Sequence, residues 1–359
     1  MEKRNILLLS ILIIAIIALI FLIWFALSES NNGFLPFPND NNGEPNIERT
    51  EWAFNFTQVN ELNKEGYNGE GVVIGIVDTG IDINHPDLDH INITAWKDYI
   101  NGKPEPYDDE GHGTMMTGII AAKGRIDGVS PSVNMVVVKA ISSTGSGSSS
   151  NVAAGIDFCV ENDADVICLS LGGKARRFNL GDDTVQACER AISQGVIVVA
   201  AAGNDGEDPN DKDVDSPAIV EGVIAVGAID ENKIIAPFSS IGDNDGLTPF
   251  PFDDRKDPDK KPELVAPGMD IVSTYPDDKY ATGSGTSQAT AFVSGCIVLI
   301  LDADPEYQRE GSSGGSQDTV TQIKNVLMTT AEKCDGQDTP HDDYYGYGLI
   351  NAEDAENNL

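Results

Sequence analysis

The sequence predicts an α/β fold: a doubly wound, mostly parallel sheet with helices on both faces. Three observations predict the class. Short Val/Ile/Ala-rich runs of strand length recur along the chain, apolar throughout rather than alternating, as strands buried on both faces must be. Segments with apolar residues at helical spacing separate them, so helical crossovers join parallel neighbours. Thirty-six glycines in 359 residues supply the tight turns that many short elements require.

Taken in order, residues 1–5 are a short N-terminus carrying Lys3 and Arg4. Residues 6–27 are apolar apart from Ser10. At about 1.5 Å per residue, a helix of this length crosses a hydrocarbon core of about 30 Å. The run reads as a membrane anchor. Positive charge precedes it, which keeps residues 1–5 cytoplasmic and places the rest of the chain outside in a single pass. A signal peptide is the alternative, since Ala26-Leu27-Ser28 offers a small-residue cleavage site and would give a secreted protein. Residues 28–50, rich in Asn, Asp, Pro and Gly, form a solvated linker. Residues 51–359 form one large domain.

Within that domain Val72–Val77 reads as a buried strand stopped by Asp78. Glycines precede this strand instead of following it and opening a helix, which argues against a dinucleotide-binding turn. His112 lies between two glycines at the start of a helical pattern, Met115, Met116, Ile119 and Ile120. Met135–Ala140 is a strand, Ser142–Ser150 a Gly/Ser loop, and Val152–Glu161 a helix. Asp165–Leu171 is the next strand, Asp182–Gln194 a helix, and Val196–Ala202 a strand that stops at Gly203-Asn204. Ile271–Thr274 is a short strand. The small-residue turn Gly283–Thr286 then runs into Ala289, Phe292, Val293, Cys296 and Ile297, so Ser287 sits where a loop becomes a helix. Ile323–Thr330 is the last long helix, behind a loose Gly/Ser-rich loop at 308–318.

The formal net charge of −35 excludes nucleic acid as a partner. It fits an acidic soluble exterior, high salt or bound divalent cations. Five cysteines, an odd number without metal-type spacing, read as buried thiols, with one disulfide left open.

Asp78, His112, Asn204 and Ser287 stand at four separate strand or helix ends. A serine hydroxyl needs a base within hydrogen-bond reach, an imidazole supplies it, and a carboxylate orients the imidazole. An amide donor steadies the oxyanion of acyl transfer. The chain order Asp, His, Ser is one of several in which such triads occur.

These stretches resemble the subtilisin-like serine proteases, the subtilases, over about residues 52–355. The matching stretches are Ile76-Val-Asp78-Thr-Gly-Ile-Asp82, Gly111-His112-Gly-Thr114, Ala200-Ala-Ala-Gly-Asn204, Gly285-Thr-Ser287 and Tyr345-Gly-Tyr-Gly-Leu-Ile-Asn351. The resemblance implies Ser287 as nucleophile, His112 as general acid and base, Asp78 as its orienting carboxylate and Asn204 as oxyanion donor. It also implies substrate binding along two edge segments, Gly145-Ser146-Gly147 and Ser170-Leu171-Gly172, by strand addition. The function implied is an extracellular serine endopeptidase acting on proteins or peptides through an acyl-enzyme. A catalytically inactive binding module on the same fold is the alternative. No cofactor is needed for the chemistry. Structural calcium stays open, with Asp87 as a half-kept ligand beside the short Lys123–Asp127 loop. Ser216-Pro217-Ala218 resembles the segment lining the pocket for the residue before the scissile bond. The acidic run Asp205–Asp215 just ahead of it points to basic residues there. Three positions depart from the family pattern: Met115 where a second His is common, Gln288 where Met is common, and Ala291 where Pro is common.

Overall fold

The apolar runs pair with one another because none can leave its backbone groups unbonded in a dry interior. In the computed structural model, which describes residues 47–174, 182–208, 212–242 and 255–359, seven strands result. They are β1 (Val73–Asp78), β2 (Ile93–Asp98), β3 (Asn134–Lys139), β4 (Val166–Leu169), β5 (Ile197–Ala201), β6 (Ile224–Ile229) and β7 (Leu264–Pro267). They form one sheet in the order β2-β3-β1-β4-β5-β6-β7, and every neighbouring pair is parallel. The described residues belong to one unit, Asn46–Leu359. Residues 6–27 and nearly all of the linker lie outside the described residues.

Two pairs of helices sandwich the sheet. α1 (Glu51–Phe56) and α2 (Val59–Glu65) precede it. α3 (His112–Ala121) packs against α6 (Thr286–Ala303), which crosses β4 to β7. On the other side α4 (Ser149–Glu161) packs against α5 (Asp183–Ser193). Alternation along β1 settles which side receives the chemistry. A Cβ on Gly75 would lie 2.6 Å from the Cys159 sulfur, and Gly155 is held against Val77, so residues 75 and 77 face α4. Successive strand residues point to opposite faces. Asp78 therefore faces the α3 side, where His112 begins its helix. Close approach of α4 to β1 and β3 depends on Gly75 and Gly155 lacking side chains.

The chain lays β2 and β3 on one side of β1 and then crosses to β4 on the other. Loops leaving the carboxyl ends of these strands diverge there and open a crevice, the usual place for a site in such sheets. Asp78 ends β1, Ser170 follows β4, and Asn204 lies just beyond β5.

An antiparallel hairpin, β8 (Ile271–Tyr275) with β9 (Lys279–Gly283), feeds α6. α6 is 18 residues long and apolar enough to cross a membrane, but it is 83% buried within the domain and is its core helix. α7 (Gln317–Thr330) and α8 (Ala352–Glu356) close the chain.

Strand and helix bounds follow the sequence expectation closely at β1, β3, α4, β5 and α5. α7 starts earlier than its apolar spacing suggests, because the Ser316 hydroxyl accepts the Thr319 N–H and caps it. All five cysteines are free and buried, so none of them forms the disulfide left open above.

Candidate active site

His112 opens α3 behind Gly111, which has φ 112° and abuts the Tyr275 ring, where a Cβ would come within 2.5 Å. Only glycine fits both demands. The turn aims the imidazole at Asp78, which is 2% exposed. His112 Nδ1 lies 2.8 Å from Asp78 Oδ1 and 2.9 Å from Oδ2. A carboxylate on Nδ1 fixes the proton there and leaves Nε2 as the acceptor. Burial alone would depress the imidazole's basicity. The Asp78 carboxylate overrides that and, with Glu110 and Asp108, lifts the pKa to about 9.

A second set of contacts locks this pair. Lys139 is the β3 register partner of Asp78 and is fully buried. Its ammonium donates to the Thr79 carbonyl at 2.5 Å, the Asp109 carboxylate at 2.6 Å and the Ile141 carbonyl at 3.1 Å. One cation thus ties the residue after Asp78 to the turn that carries His112. Gly113 N–H donates to Thr79 Oγ1 at 2.8 Å and closes the same joint.

Ser287 lies in the first turn of α6, as its sequence context requires. Its hydroxyl donates to the Ser170 carbonyl at 2.9 Å, and the Ser170 hydroxyl donates back to the Ser287 carbonyl at 3.0 Å. Ser170 lines the cleft that His112 and Asp78 also line. The structure thus gathers Asp78, His112, Ser170 and Ser287 at one crevice. Among the described residues no hydrogen bond joins Ser287 Oγ to His112. Asn204 is tied to the same helix start. Its Oδ1 accepts from the Thr286 N–H at 3.0 Å and from the Thr286 hydroxyl at 3.1 Å. Two donors at the start of α6 thus hold the amide oxygen. Thr286 Oγ1 also accepts the Gly203 N–H at 3.2 Å.

The cleft encloses about 520 Å³. Gly145, Gly147, Ser170, Leu171 and Gly172 line it, with Ser216 and Pro217 below. The first segment is a turn in which Ser142 N–H donates to the Ser146 carbonyl at 2.9 Å. The main-chain groups of Leu171 and Gly172 take no main-chain partner among the described residues.

The family profile described as Subtilase family matches residues 69–348. The chain belongs to the subtilase family. It is 35% identical to Subtilisin DY of Bacillus licheniformis over 301 residues, 83% of this chain and 95% of that one. It is likewise 35% identical to Subtilisin Savinase of Lederbergia lenta over 307 residues, 85% and 97% of the two chains. It is 33% identical to Serine protease AprX of Bacillus subtilis over 325 residues, 82% and 68%. This subtilase is a subtilisin-like serine endopeptidase, a hydrolase whose family needs no cofactor for its chemistry.

Asp87, the residue left open above as a calcium ligand, is held in this subtilase by N–H and O–H donors. Its Oδ1 accepts the Arg125 N–H at 2.9 Å, and its Oδ2 accepts the Ile126 N–H at 3.1 Å and the Tyr280 hydroxyl at 2.8 Å. The carboxylate is 3% exposed, and a Cβ on Gly124 would lie 2.2 Å from Oδ1. Donors of this kind repel a cation, so the short loop wraps directly around the carboxylate and Asp87 does not fit a calcium ligand. Among the described residues no group of three or more His, Cys, Asp or Glu side chains gathers to hold a metal.

Two of the departures from the family pattern meet. The Gln288 amide donates to the Met115 sulfur at 3.4 Å, and both residues are buried, Met115 one turn after His112 and Gln288 next to Ser287. A Cβ on Gly283 would clash with both, at 2.5 Å from Gln288 Nε2 and 2.7 Å from Met115 Sδ. Ala291 is fully buried on α6. Sequence reasoning missed Thr286, Lys139 and Glu110. Glu110 is a polar residue two positions before His112, a signal available in principle, whereas Lys139 lies near no motif residue in the sequence. Nothing local marks Thr286 except its place before Ser287.

Proposed function

We propose that this subtilase cleaves peptide bonds with Ser287 as nucleophile, His112 as general base and then acid, and Asp78 as orienting carboxylate. The observation that carries the proposal is the two-oxygen contact of Asp78 with His112 Nδ1, in a cleft shared with the start of the Ser287 helix. An incoming peptide lies along Ser170-Leu171-Gly172 and Gly145-Ser146-Gly147 and adds its main chain as a strand. As its N–H groups engage the Ser170 carbonyl, the Ser287 hydroxyl turns from that carbonyl to His112 Nε2. Oγ then attacks the peptide carbonyl and its proton passes to Nε2, giving an imidazolium stabilised by Asp78. The Asn204 NH₂ and the Ser287 N–H donate to the oxyanion. His112 returns the proton to the leaving amine, and water, deprotonated by the same imidazole, releases the acyl group from Ser287.

The apolar run 6–27 supports a single-pass membrane anchor with the catalytic domain outside the cell, or a secreted enzyme if that run is removed.

The test is casein cleavage by the full chain and by Ser287→Ala, alongside labelling by an aryl phosphonate. Cleavage and labelling in the wild type and neither in the variant are expected. Undiminished cleavage by Ser287→Ala would refute the assignment. Fractionation after carbonate extraction separates the anchored from the secreted form.

A further inference from the structure

The acceptor triplet for N-linked sugar, Asn-X-Thr, occurs at Asn55-Phe-Thr57 and at Asn92-Ile-Thr94. Both asparagines are exposed, but the fold uses them differently. Asn92 donates its Nδ2 to Asn134 Oδ1 at 2.7 Å and lines neither the catalytic cleft nor the cavity described next. Asn55 is held by the other end of its carboxamide, where Oδ1 accepts from Asn60 Nδ2 at 2.8 Å. Its Nδ2, the atom that carries an N-linked sugar, takes no hydrogen bond among the described residues.

Asn55 stands on the wall of a second cavity of about 750 Å³, a volume in the range of small-molecule sites. Residues of α1, α2 and the segment before β3 line it, at the amino ends of β1 and β3 and so on the opposite edge of the sheet from the catalytic crevice. Amides and hydroxyls dominate the lining, with Asn55, Asn60, Asn63, Tyr67, Asn68 and Ser132. The cations Arg49 and Lys64 there are paired with Glu51 at 2.8 Å and Glu61 at 2.6 Å, and Lys123 and Asp127 offset one another in charge, so the lining favours a neutral ligand. Asn68 asks for a donor. Its N–H donates to Asp302 Oδ2 at 2.8 Å and its carbonyl accepts the Ser132 N–H at 2.8 Å, which fixes its main chain. Its Oδ1 is buried and has no hydrogen-bond partner among the described residues. Buried polar atoms rarely stay in that state. Half-buried Tyr67 adds an aromatic ring to the same wall. Sugar hydroxyls both donate and accept, and a sugar's apolar face suits a ring, so a neutral saccharide answers each of these groups.

We propose that Asn55 carries an N-linked oligosaccharide whose first sugars lie in this cavity, with a sugar hydroxyl donating to Asn68 Oδ1. This rests on the reading above that the catalytic domain lies outside the cell. In the transfer, Asn55 Nδ2 bonds to the anomeric carbon of the first sugar as that carbon's bond to the diphosphate of a lipid-linked oligosaccharide breaks. The diphosphate leaves with the electron pair, one amide proton is released, and the nitrogen keeps its other hydrogen. Transfer precedes folding, because in the folded chain the Thr57 hydroxyl is fully buried and donates to the Ala53 carbonyl at 3.0 Å. α1 permits this order: it has six residues, and a helix that short does not persist before its packing partners arrive. Asn60 then holds Asn55 Oδ1 and fixes the direction in which the sugar leaves.

The experiment uses the full chain purified from the membranes of the cells that make it naturally. Trypsin releases Asn55 within residues 50–64 and Asn92 within residues 65–97, so mass spectrometry reads the two sites separately. A 50–64 peptide carrying hexose or N-acetylhexosamine is expected, and a wholly bare one would overturn the proposal. Asn68→Leu keeps the acceptor triplet and tests the seat of the sugar. It should lower the melting temperature by about 1–3 °C in the wild-type background. In an Asn55→Gln background it should leave that temperature unchanged or raise it, since only an orphaned acceptor is then removed. An equal fall in both backgrounds would overturn the placement in the cavity. A membrane-impermeant amine reagent applied to intact cells reports the side of the domain independently. A labelled domain with a bare Asn55 sinks this inference alone, and an unlabelled domain with a bare Asn55 sinks the outside location with it.

Discussion

Thr286→Val deletes one hydroxyl without changing side-chain volume much, and its consequences can be worked out from three contacts. The hydroxyl donates to Asn204 Oδ1 and accepts the Gly203 N–H. The Thr286 N–H, which survives the change, also donates to Asn204 Oδ1. Losing one of two bonds that fix the amide removes about 1 kcal/mol of orientational preference, a factor of about five in the population with NH₂ facing the cleft. Complete removal of such an oxyanion donor costs about 10²–10³ in turnover, a range known from a subtilisin rather than worked out from this chain. Thr286→Val should therefore lower kcat about three- to tenfold with little change in KM. The unpaired Gly203 N–H should cost about 1–3 kcal/mol of stability besides. Thr286→Ser keeps the hydroxyl and should restore most of both. The deciding assay is single-turnover acylation of an activated ester by Thr286→Val, Asn204→Ala and the double variant. If Thr286 acts by holding Asn204, the double variant acylates no more slowly than Asn204→Ala. A full extra loss in the double variant, or an unchanged kcat in Thr286→Val, would refute the reasoning.

Four further outcomes are expected. Because the His112 pKa is lifted to about 9 and the base must be neutral, kcat/KM should rise with pH through about 9, and Glu110→Gln should move that limb to lower pH in a pH–rate profile. The same lift, from an ordinary 6.5, adds stability that is full below pH 6.5 and is lost as pH rises through about 9. Asp87→Asn should destabilise the domain by about 1–3 kcal/mol in urea melts, equally with calcium and with chelator, since the carboxylate binds N–H and O–H groups; a loss seen in calcium alone would contradict this. Gln288→Met and Met115→His should each cost under about 1.5 kcal/mol, and a double-mutant cycle should show coupling of about 0.5 kcal/mol or more because the side chains touch; additivity would show them independent.

The legible parts of this chain are those where one local demand dominates. A strand buried on both faces must be apolar throughout, so β1, β3 and β5 stand out, and a helix that starts after glycines must expose its first side chains, so His112 and Ser287 stand out. β2 was invisible because its half-buried residues, Ile93, Ala95 and Trp96 among polar ones, match neither template. α1 and α2 are short and draw their stability from packing, as Phe54 does on Phe292 with ring centroids 5.3 Å apart. Asp87 stayed open because a carboxylate carries no local record of its partner. Whether it meets a cation or a row of N–H groups depends on the length of a loop far along the chain.

The same distinction explains why the bond-making residues were readable and the ties between their elements were not. Asp78, His112, Asn204 and Ser287 each stop or start an element, and that placement is local. Lys139, Thr286 and Ser170 act across the sheet: Lys139 ties the ends of β1 and β3 to the His112 turn, Ser170 ties the end of β4 to α6, and Thr286 ties α6 to Gly203 beyond β5. Each binds two elements that are adjacent only because the strand order brings them together. A parallel sheet delivers its strand ends to one edge, but their relative positions still vary by more than acyl transfer tolerates. The three cross-ties remove that freedom, and all three donor side chains are buried, where a polar group without its partner would be costly. The cost of breaking a tie holds the crevice in one arrangement before any peptide arrives.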